Sequence, residues 1–183
     1  RERPLSQAYP YVFMDGVWHK RSWGGAVENV SILVAIGIGS DGHREAVGVA
    51  EGMKEDSASW NGFVSSLISR GLTGVRLVTG DRCAGLVNTV SGLLPQARYQ
   101  RCMVHFMRNV LAKVSPRHSR WAGDALKAIF AMESRESAPA KAEQVASEME
   151  ERKLRQAARC LREGISETTT YLPDDYPVEH RRR

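Results

Sequence analysis

Apolar residues recur along this chain in two spacings, and the change between them predicts an α/β fold. Short β-prone runs bounded by turn residues predict strands at 11–18, 30–38, 46–50 and 75–80, with a short fifth strand at 97–100. The first three strands follow one another closely enough to form an antiparallel meander. Between the third and fourth, the apolar positions from Trp60 to Ile68 have helical spacing, after the capping pair Asp56–Ser57 and before the terminating Gly71.

The second half of the chain has a helical pattern. Helical spacing predicts helices at 83–93, at 102–114 and around 121–130, and one long helix from Pro139 to about Gly164. We therefore expect a core over 1–115, an all-α insertion over 116–170 and a turn-rich basic tail over 171–183.

Composition limits the class of protein. The 183 residues are 42% hydrophobic and 26% charged, which is typical of a globular domain. No apolar run reaches the roughly 20 residues that a membrane-spanning helix needs, and an odd count of three cysteines argues against a disulfide framework. Because no signal peptide precedes the first strand, we expect a cytoplasmic protein without a membrane partner.

Two aspartates stand out within this pattern. Asp81 follows the apolar run 75–80 and precedes a helix, while Asp15 lies inside the strand-like run 11–18. Three meandering strands, a helix and a fourth strand ending in Asp are the element order of a ribonuclease H-like domain. Because strands one and four are neighbours in that fold, we expect Asp15 and Asp81 to lie close together.

A pair of close carboxylates predicts a divalent metal site. Their mutual repulsion is relieved by a cation, and Mg²⁺, or Mn²⁺ in its place, suits one or two carboxylates combined with phosphate oxygens. The alternative is that each aspartate is satisfied by backbone donors and has a structural role.

Positive charge is concentrated next to Asp81. No acidic residue lies between Asp81 and Asp124, and this window carries +7 against +5 for the whole chain, so the rest carries −2. Such a window favours a polyanionic partner, whereas the alternative is a solvated basic helix face. The residues that we expect to contact DNA phosphates are Arg82, Arg101, Arg108, Lys113, Arg117 and Arg120.

Several segments, in this order along nearly the whole chain, resemble the bacterial Mutator-type DDE transposases. They are Tyr9–Val17 (YPYVFMDGV), Asp56–Trp60 with Arg70–Leu72, Val78–Asp81 with Ala84–Leu86, Gln100–Leu111 with its Cys-x-x-His spacing, and Tyr176–Arg183.

The resemblance implies a function and a site. Asp15 and Asp81 would be the first two acids of a catalytic triad, in a ribonuclease H-like fold with a helical insertion before the third acid. The implied reaction is Mg²⁺-dependent cleavage of transposon ends and strand transfer into target DNA, by a homo-oligomer associated with the nucleoid. In the family the third acid is a Glu on a helix just beyond the point where this sequence stops, and Glu179, in a Pro-flanked loop, does not replace it. Gly80 stands where the family has Ser.

Cys102 and His105 are three positions apart on a predicted helix and so share a face. They form half of a zinc site at most, since none of the other Cys and His residues has paired ligand spacing. The alternatives are contact with DNA phosphate or a catalytic acid, which the resemblance favours, and a structural role.

Three hypotheses remain open at this point. The chain is a transposase catalytic core, a catalytically inactive remnant that binds DNA or intact copies, or a ribonuclease H-like nuclease unrelated to transposition. Among the aromatic residues, Trp60 and Phe63 belong to a predicted core, whereas Trp18 and Trp23 suit an exposed hairpin.

Overall fold

The computed structural model describes residues 3–23, 25–52, 56–132, 134 and 136–171. The chain forms two compact units, residues 1–99 and residues 100–183.

A mixed five-stranded sheet organises the first unit. Its order is β3-β2-β1-β4-β5; β1 pairs antiparallel with β2, β2 antiparallel with β3, and β1 parallel with β4. The strands are β1 (Tyr11–Trp23), β2 (Ala26–Ile38), β3 (Arg44–Gly52), β4 (Leu77–Gly80) and β5 (Arg98–Arg101). This topology confirms the predicted α/β fold of ribonuclease H-like order, with strands one and four adjacent.

Strands β1 and β2 are longer than predicted. Each has 13 residues, and the two pair continuously from Tyr11 with Ile38 to Trp23 with Ala26. The polar stretch from His19 to Ser22 carries no apolar alternation, so cross-strand pairing rather than local pattern extends the hairpin.

Two helices cover one face of this sheet. They are α1 (Ser57–Ser69) and α2 (Ala84–Leu93), and the predicted cap is confirmed because Asp56 Oδ1 accepts a hydrogen bond from the Ser59 N–H at 2.8 Å. Gly71, with φ +103°, follows α1 in the left-handed conformation that ends it. The core between sheet and helices contains the predicted Trp60 and Phe63, together with Val12, Met14, Leu33, Val64, Leu67, Val78 and Leu86.

The second unit is helical apart from the last residues of β5. Its helices are α3 (Met103–Leu111), α4 (Ser119–Phe130), α5 (Ser137–Glu151) and α6 (Arg155–Thr168). Their apolar faces enclose a separate core around Phe106, Leu126, Ile129, Met149 and Leu161.

The predicted single helix from Pro139 to Gly164 is wrong, because the chain forms α5 and α6 with a break between them. Lys153 has φ +63°, its N–H donates to the Glu150 carbonyl at 2.8 Å, and the Leu154 N–H donates to the Met149 carbonyl at 2.8 Å. This pair of bonds is a Schellman-type helix end, in which glycine usually takes the left-handed position. A lysine there gives no sequence signal for the break.

The units do not divide where the sequence placed its boundary. We expected the helical segment to start after Ser115, but α3 packs with α4 and α6, so the compact division follows Tyr99. The basic tail 171–183 lies, except for Tyr171, outside the described residues. None of the described helices is long and apolar enough to cross a membrane.

Candidate active site

The parallel register of β1 and β4 brings the two predicted acids to one edge of the sheet. Tyr11 pairs with Leu77 and Phe13 with Thr79, and the same register continued by two residues aligns Asp15 with Asp81. Neighbouring strands lie about 4.8 Å apart, and side chains two residues apart share a face. That continued register would place the two aspartates side by side on the face that Phe13 and Thr79 occupy, opposite the α1–α2 face.

Each carboxylate is held by one backbone donor. Asp15 Oδ1 accepts a hydrogen bond from the Gly16 N–H at 3.0 Å, and Asp81 Oδ1 accepts one from the Arg82 N–H at 2.7 Å. Asp15 is exposed and Asp81 is half-buried. This pattern differs from the structural alternative, in which a buried aspartate is satisfied by several donors, because both side chains have access to solvent.

Gly80 allows β4 to approach β1 just before Asp81. A Cβ at this position would lie 2.9 Å from the backbone oxygen of Met14 and 3.1 Å from the Tyr99 hydroxyl oxygen. Met14 immediately precedes Asp15, so Gly80 sets the spacing of the strands at the acids. The Gly at position 80, where the family resemblance leads one to expect Ser, therefore has a steric reason here.

The turn that carries Asp81 is fixed from two directions. The Tyr99 hydroxyl donates a hydrogen bond to the backbone carbonyl of Asp81, and the Cys83 N–H donates to the same carbonyl at 2.8 Å. Because α2 begins at Ala84, its first turn directly follows this anchored carbonyl. The orientation of Asp81 is thus set by both β5 and α2.

Close packing of the two helix N-termini supports the same region. A Cβ on Gly85 would lie 2.8 Å from the Asp56 carbonyl carbon and 2.8 Å from the Ser57 nitrogen. Gly85 thus lets the start of α2 lie against the start of α1. Two segments that carry the family resemblance, around Asp56 and around Gly85, therefore meet in space.

The donor set at this edge fits a hard divalent cation. Two solvent-accessible carboxylates would supply oxygen ligands of the kind that Mg²⁺ prefers and would leave positions for water and phosphate oxygens. Among the described residues, no group of three or more His, Cys, Asp or Glu side chains could hold a metal. The described part of the chain therefore adds no third ligand to the two aspartates, and none to the predicted half zinc site at Cys102 and His105.

Cys102 and His105 lie in the second unit. Cys102 is the residue before α3 and is half-buried, as is His105. The buried Nδ1 of His105 makes no hydrogen bond within the described part of the chain. Their role next to the acids or at DNA remains a prediction.

Five of the six predicted phosphate contacts are exposed side chains, namely Arg82, Arg108, Lys113, Arg117 and Arg120. Arg101 differs, because it is only 6% exposed and its guanidinium lies 5.0 Å from the centre of the Phe106 ring. Its Nη1 lies 3.9 Å from Glu167 Oε2, and a Cβ on Gly164 would lie 2.7 Å from that same nitrogen. Arg101 is thus part of the core of the second unit rather than of an exposed basic face.

Sequence reasoning missed the residues that support the acids. Tyr99 gave no signal, because a lone tyrosine in a short predicted strand has no characteristic spacing. Gly80 and Gly85 were noted only as parts of a resemblance, although a glycine beside a strand end often marks a close backbone approach.

The family model and the curated relatives that match this chain agree on one family. The family described as "Transposase, Mutator family" matches residues 1–183. The transposase for insertion sequence element IS1081 of Mycobacterium tuberculosis is 37% identical over 147 residues, which are 79% of this chain and 35% of that protein. The transposase for ISRM5 of Rhizobium meliloti is 38% identical over 117 residues, 64% of this chain and 29% of that protein.

This chain thus spans about a third of the length of the curated relatives that it matches. Among solved structures, the catalytic core domain of BIV integrase aligns at 12% identity over 81% of this chain and 79% of that chain. The TM-score of this alignment is 0.31. The family match covers every residue of the sequence, and the chain belongs to the Mutator family of transposases.

Proposed function

We propose that this chain is the central part of a DDE transposase that cuts DNA at transposon ends and joins them to target DNA. The observation that supports the proposal is the parallel β1–β4 register, which, continued by two residues, would align Asp15 with Asp81 at the carboxyl edge of the sheet. Ligands of open α/β sheets bind at that edge. The family match supports the same chemistry.

The reaction consists of two displacements at phosphorus. In the first, water attacks the phosphodiester at the transposon end, the P–O3′ bond breaks, and the leaving oxygen takes up a proton to become a free 3′-hydroxyl. In the second, that hydroxyl attacks a phosphodiester of the target, forming one P–O bond as another breaks, so no external energy source is needed. Mg²⁺ or Mn²⁺, when bound, stabilises the developing charge on the attacking and leaving oxygens.

The protein groups have separate tasks in this scheme. Asp15 and Asp81 would hold the cation, while Tyr99 and the Arg82 N–H fix the orientation of Asp81. Exposed Arg82, the residue after Asp81, is well placed to contact a neighbouring phosphate. We further propose that Arg108, Lys113, Arg117 and Arg120 contact the DNA backbone, and that the active form is a homo-oligomer on nucleoid DNA.

The other two hypotheses have less support. In an inactive remnant, nothing would select for accessible acids or for residues that support them. Both acids are nevertheless solvent-accessible at one sheet edge, and Gly80 and Tyr99 support that edge. A nuclease unrelated to transposition would share the acid pair, but the family match extends over the whole chain.

Metal binding by this chain tests the proposed site directly. We expect Mn²⁺, followed by electron paramagnetic resonance, to bind the wild-type chain and to bind Asp15→Asn and Asp81→Asn at least about a hundredfold more weakly, since even outer-shell changes cost up to that much. Asp124→Asn is the matched control, because this exposed carboxylate of α4 is not one of the two proposed ligands. Equal Mn²⁺ affinity in all four proteins would disprove the acid pair as a metal site.

Activity is tested in the longer protein that contains this segment. We expect Mg²⁺-dependent nicking and joining of DNA that carries the element's terminal repeats, and loss of both steps in Asp15→Asn and Asp81→Asn. The Asp124→Asn protein should keep both steps. Retained joining by Asp81→Asn would overturn the assignment.

A further inference from the structure

Strand β3 forms one edge of the sheet. It is the first strand in the order β3-β2-β1-β4-β5, and among the described residues it pairs with β2 alone. The unpaired backbone N–H and C=O groups along the outer side of such a strand are a template for an added strand. Two exposed residues of opposite charge, Arg44 and Glu51, stand near its two ends.

A groove of about 410 Å³ lies between this strand edge and helix α1. The residues that β3 contributes to it are consecutive, Val49–Gly52, and successive residues of a strand point to opposite faces of the sheet. A groove that touches residues of both faces lies beside the strand rather than over it. Its opposite wall is the outer flank of α1, with Ala58, Ser59, Gly62 and Ser66. The groove is therefore where an additional strand would lie.

The walls of the groove suit a protein partner of low charge. Helix α1 contains no charged residue, although 26% of the chain is charged. Val49 is 42% exposed, and a Cβ on Gly62 would meet nothing within 4 Å, so an apolar contact and room beside it are both present. Charged residues are depleted in the core of protein interfaces. The segment 46–50 of β3 itself, Ala-Val-Gly-Val-Ala, has the composition that fits such a wall.

A bulge in β3 restricts how a second copy of this strand can pair with it. Ala46 pairs with Ile36 and Val49 with Val34, so these two β3 residues share the face of the sheet opposite α1 and α2, although three positions separate them. Directly opposed residues of two antiparallel strands point to the same side. If the helices of both copies lie on one side, two symmetric pairings of equal length keep the faces matched. They place Ala46 opposite either Val49 or Glu51 of the partner subunit.

Charge selects the first of these pairings, because it also places Arg44 opposite Glu51 of the partner subunit, twice in a symmetric dimer. The guanidinium carbon of Arg44 lies 6.0 Å from the centre of the Phe13 ring, on the same face of the sheet as Glu51. Glu51 Oε1 lies 2.6 Å from Arg21 Nη1, and the Glu51 side chain is still 57% exposed. A carboxylate with two oxygens accepts from a second donor as well.

We propose that two copies of this chain associate through the free edges of β3, which pair antiparallel about a two-fold axis and join the two five-stranded sheets into one. Strand β3 of each copy then occupies the groove between β3 and α1 of the other. The inference rests on the proposed function only where that function includes a homo-oligomer, and it specifies the interface. A polyanion is a poor occupant of the same groove, because its α1 wall offers no cation between Ser57 and Ser69.

The first test is a charge exchange followed by sedimentation equilibrium. We expect wild type to show a monomer–dimer equilibrium, and Arg44→Glu and Glu51→Arg each to raise the dimer Kd at least about tenfold, since each change creates two pairs of like charge. The double variant Arg44→Glu/Glu51→Arg restores both opposite-charge pairs with the signs exchanged, and should return the Kd to within about threefold of wild type. Arg76→Glu, an exposed residue just before β4, is the control with the same charge change and should dimerise like wild type.

A second test reads the register by disulfide cross-linking. Mild oxidation of a mixture of Ala46→Cys and Val49→Cys proteins should give a covalent dimer that contains one of each, because the two positions are directly opposed. Neither variant alone should cross-link, because neither position is opposite itself. Wild type, whose cysteines Cys83, Cys102 and Cys160 are all half-buried, is the control.

The outcomes separate this inference from the proposed function. A wild-type chain that stays monomeric up to millimolar concentration overturns the interface, as does a dimer whose Kd is unchanged by both charge reversals. Cross-linking of Ala46→Cys with itself, and not with Val49→Cys, overturns it as well. None of these results affects the metal site, which is tested by Mn²⁺ binding, and a failure of Mn²⁺ binding leaves the dimer unaffected.

Discussion

The Tyr99 hydroxyl donates a hydrogen bond to the backbone carbonyl of Asp81, so a residue of β5 holds the turn that carries one of the two acids. The contact reaches the backbone rather than the carboxylate. It therefore fixes the position of Asp81 and leaves its side chain accessible for a ligand.

Replacing Tyr99 by Phe tests this positioning role. We expect Tyr99→Phe to lower the free energy of unfolding by about 1 kcal/mol, the usual net value of one hydrogen bond. We expect the affinity for Mn²⁺ to fall about tenfold, as for the loss of an outer-shell partner. Urea denaturation and Mn²⁺ titration measure the two effects.

The matched control for this change is Tyr9→Phe. The hydroxyl of buried Tyr9 donates to Glu45 of β3, a strand that is not paired with β1 or β4. This variant should lose stability but keep the wild-type affinity for Mn²⁺. If both variants bind Mn²⁺ like wild type, Tyr99 has only a structural role.

A methyl group at position 80 should disturb the sheet edge at which Asp15 and Asp81 are proposed to act. In Gly80→Ala the new Cβ would lie 2.9 Å from the Met14 oxygen, which is a backbone atom and cannot rotate away. We expect a loss of about 1 to 3 kcal/mol in the free energy of unfolding, as for overpacking, together with weaker Mn²⁺ binding. Gly62→Ala in α1, where a Cβ meets nothing within 4 Å, should instead raise stability. Unchanged stability of Gly80→Ala in urea denaturation would contradict the close approach of the strands.

Glycine at position 153 should stabilise the second unit. Lys153 has φ +63°, a conformation that costs an L-residue with a Cβ about 1 kcal/mol, and glycine avoids this cost. We therefore expect Lys153→Gly to raise the free energy of unfolding by about 1 kcal/mol. Ser147→Gly, at an exposed position inside α5, should lower it, because glycine is unfavourable inside a helix. Thermal and urea denaturation of the two variants measure both changes, and a loss of stability in Lys153→Gly would refute the left-handed helix end.

A pH-dependent contact links α5 to α6. Arg162 lies 2.8 Å from Glu143 and 2.7 Å from Glu150, and its hydrogen bonds hold the pKa of both carboxyl groups below the ordinary value of 4.5. A depressed pKa contributes stability above pH 4.5, and that contribution is lost as the pH falls through the lowered pKa. We expect the melting temperatures of wild type and Arg162→Gln to differ at neutral pH and to converge in acid.

Salt and a second variant provide checks on this contact. Because these side chains are solvent-exposed, the difference at neutral pH should also decrease as salt is added. Arg159→Gln, which removes a single ion pair to Glu163 within α6, should have the smaller effect. A difference for Arg162→Gln that stays constant with pH would show that the contribution comes from packing rather than charge.

The strands of the sheet could be predicted because they follow from local pattern. Apolar runs and turn residues located the strands, and the position of Asp81 after a buried strand indicated a site at the carboxyl edge. The pairing of β1 with β4 needed one further assumption, the element order of a known fold, and the parallel register bears it out.

The rest could not be predicted because it depends on contacts distant in sequence or on residues that break local rules. Lys153 occupies a position where glycine is usual, so the α5–α6 break had no signal. Arg101 looked like one more cation in a basic window, but the space left by Gly164 admits its guanidinium to the core.

The pairing of β1 with β4 also has a consequence for biosynthesis. Phe13 and Thr79 are 66 positions apart in the sequence, and they pair only when β4 docks alongside a strand made much earlier. A ribosome that has released β1, β2 and β3 has therefore produced one of the two proposed acids, Asp15, and not yet the other, Asp81. Contacts of such long sequence separation form late in folding, which delays any chemistry at this edge until the sheet is assembled.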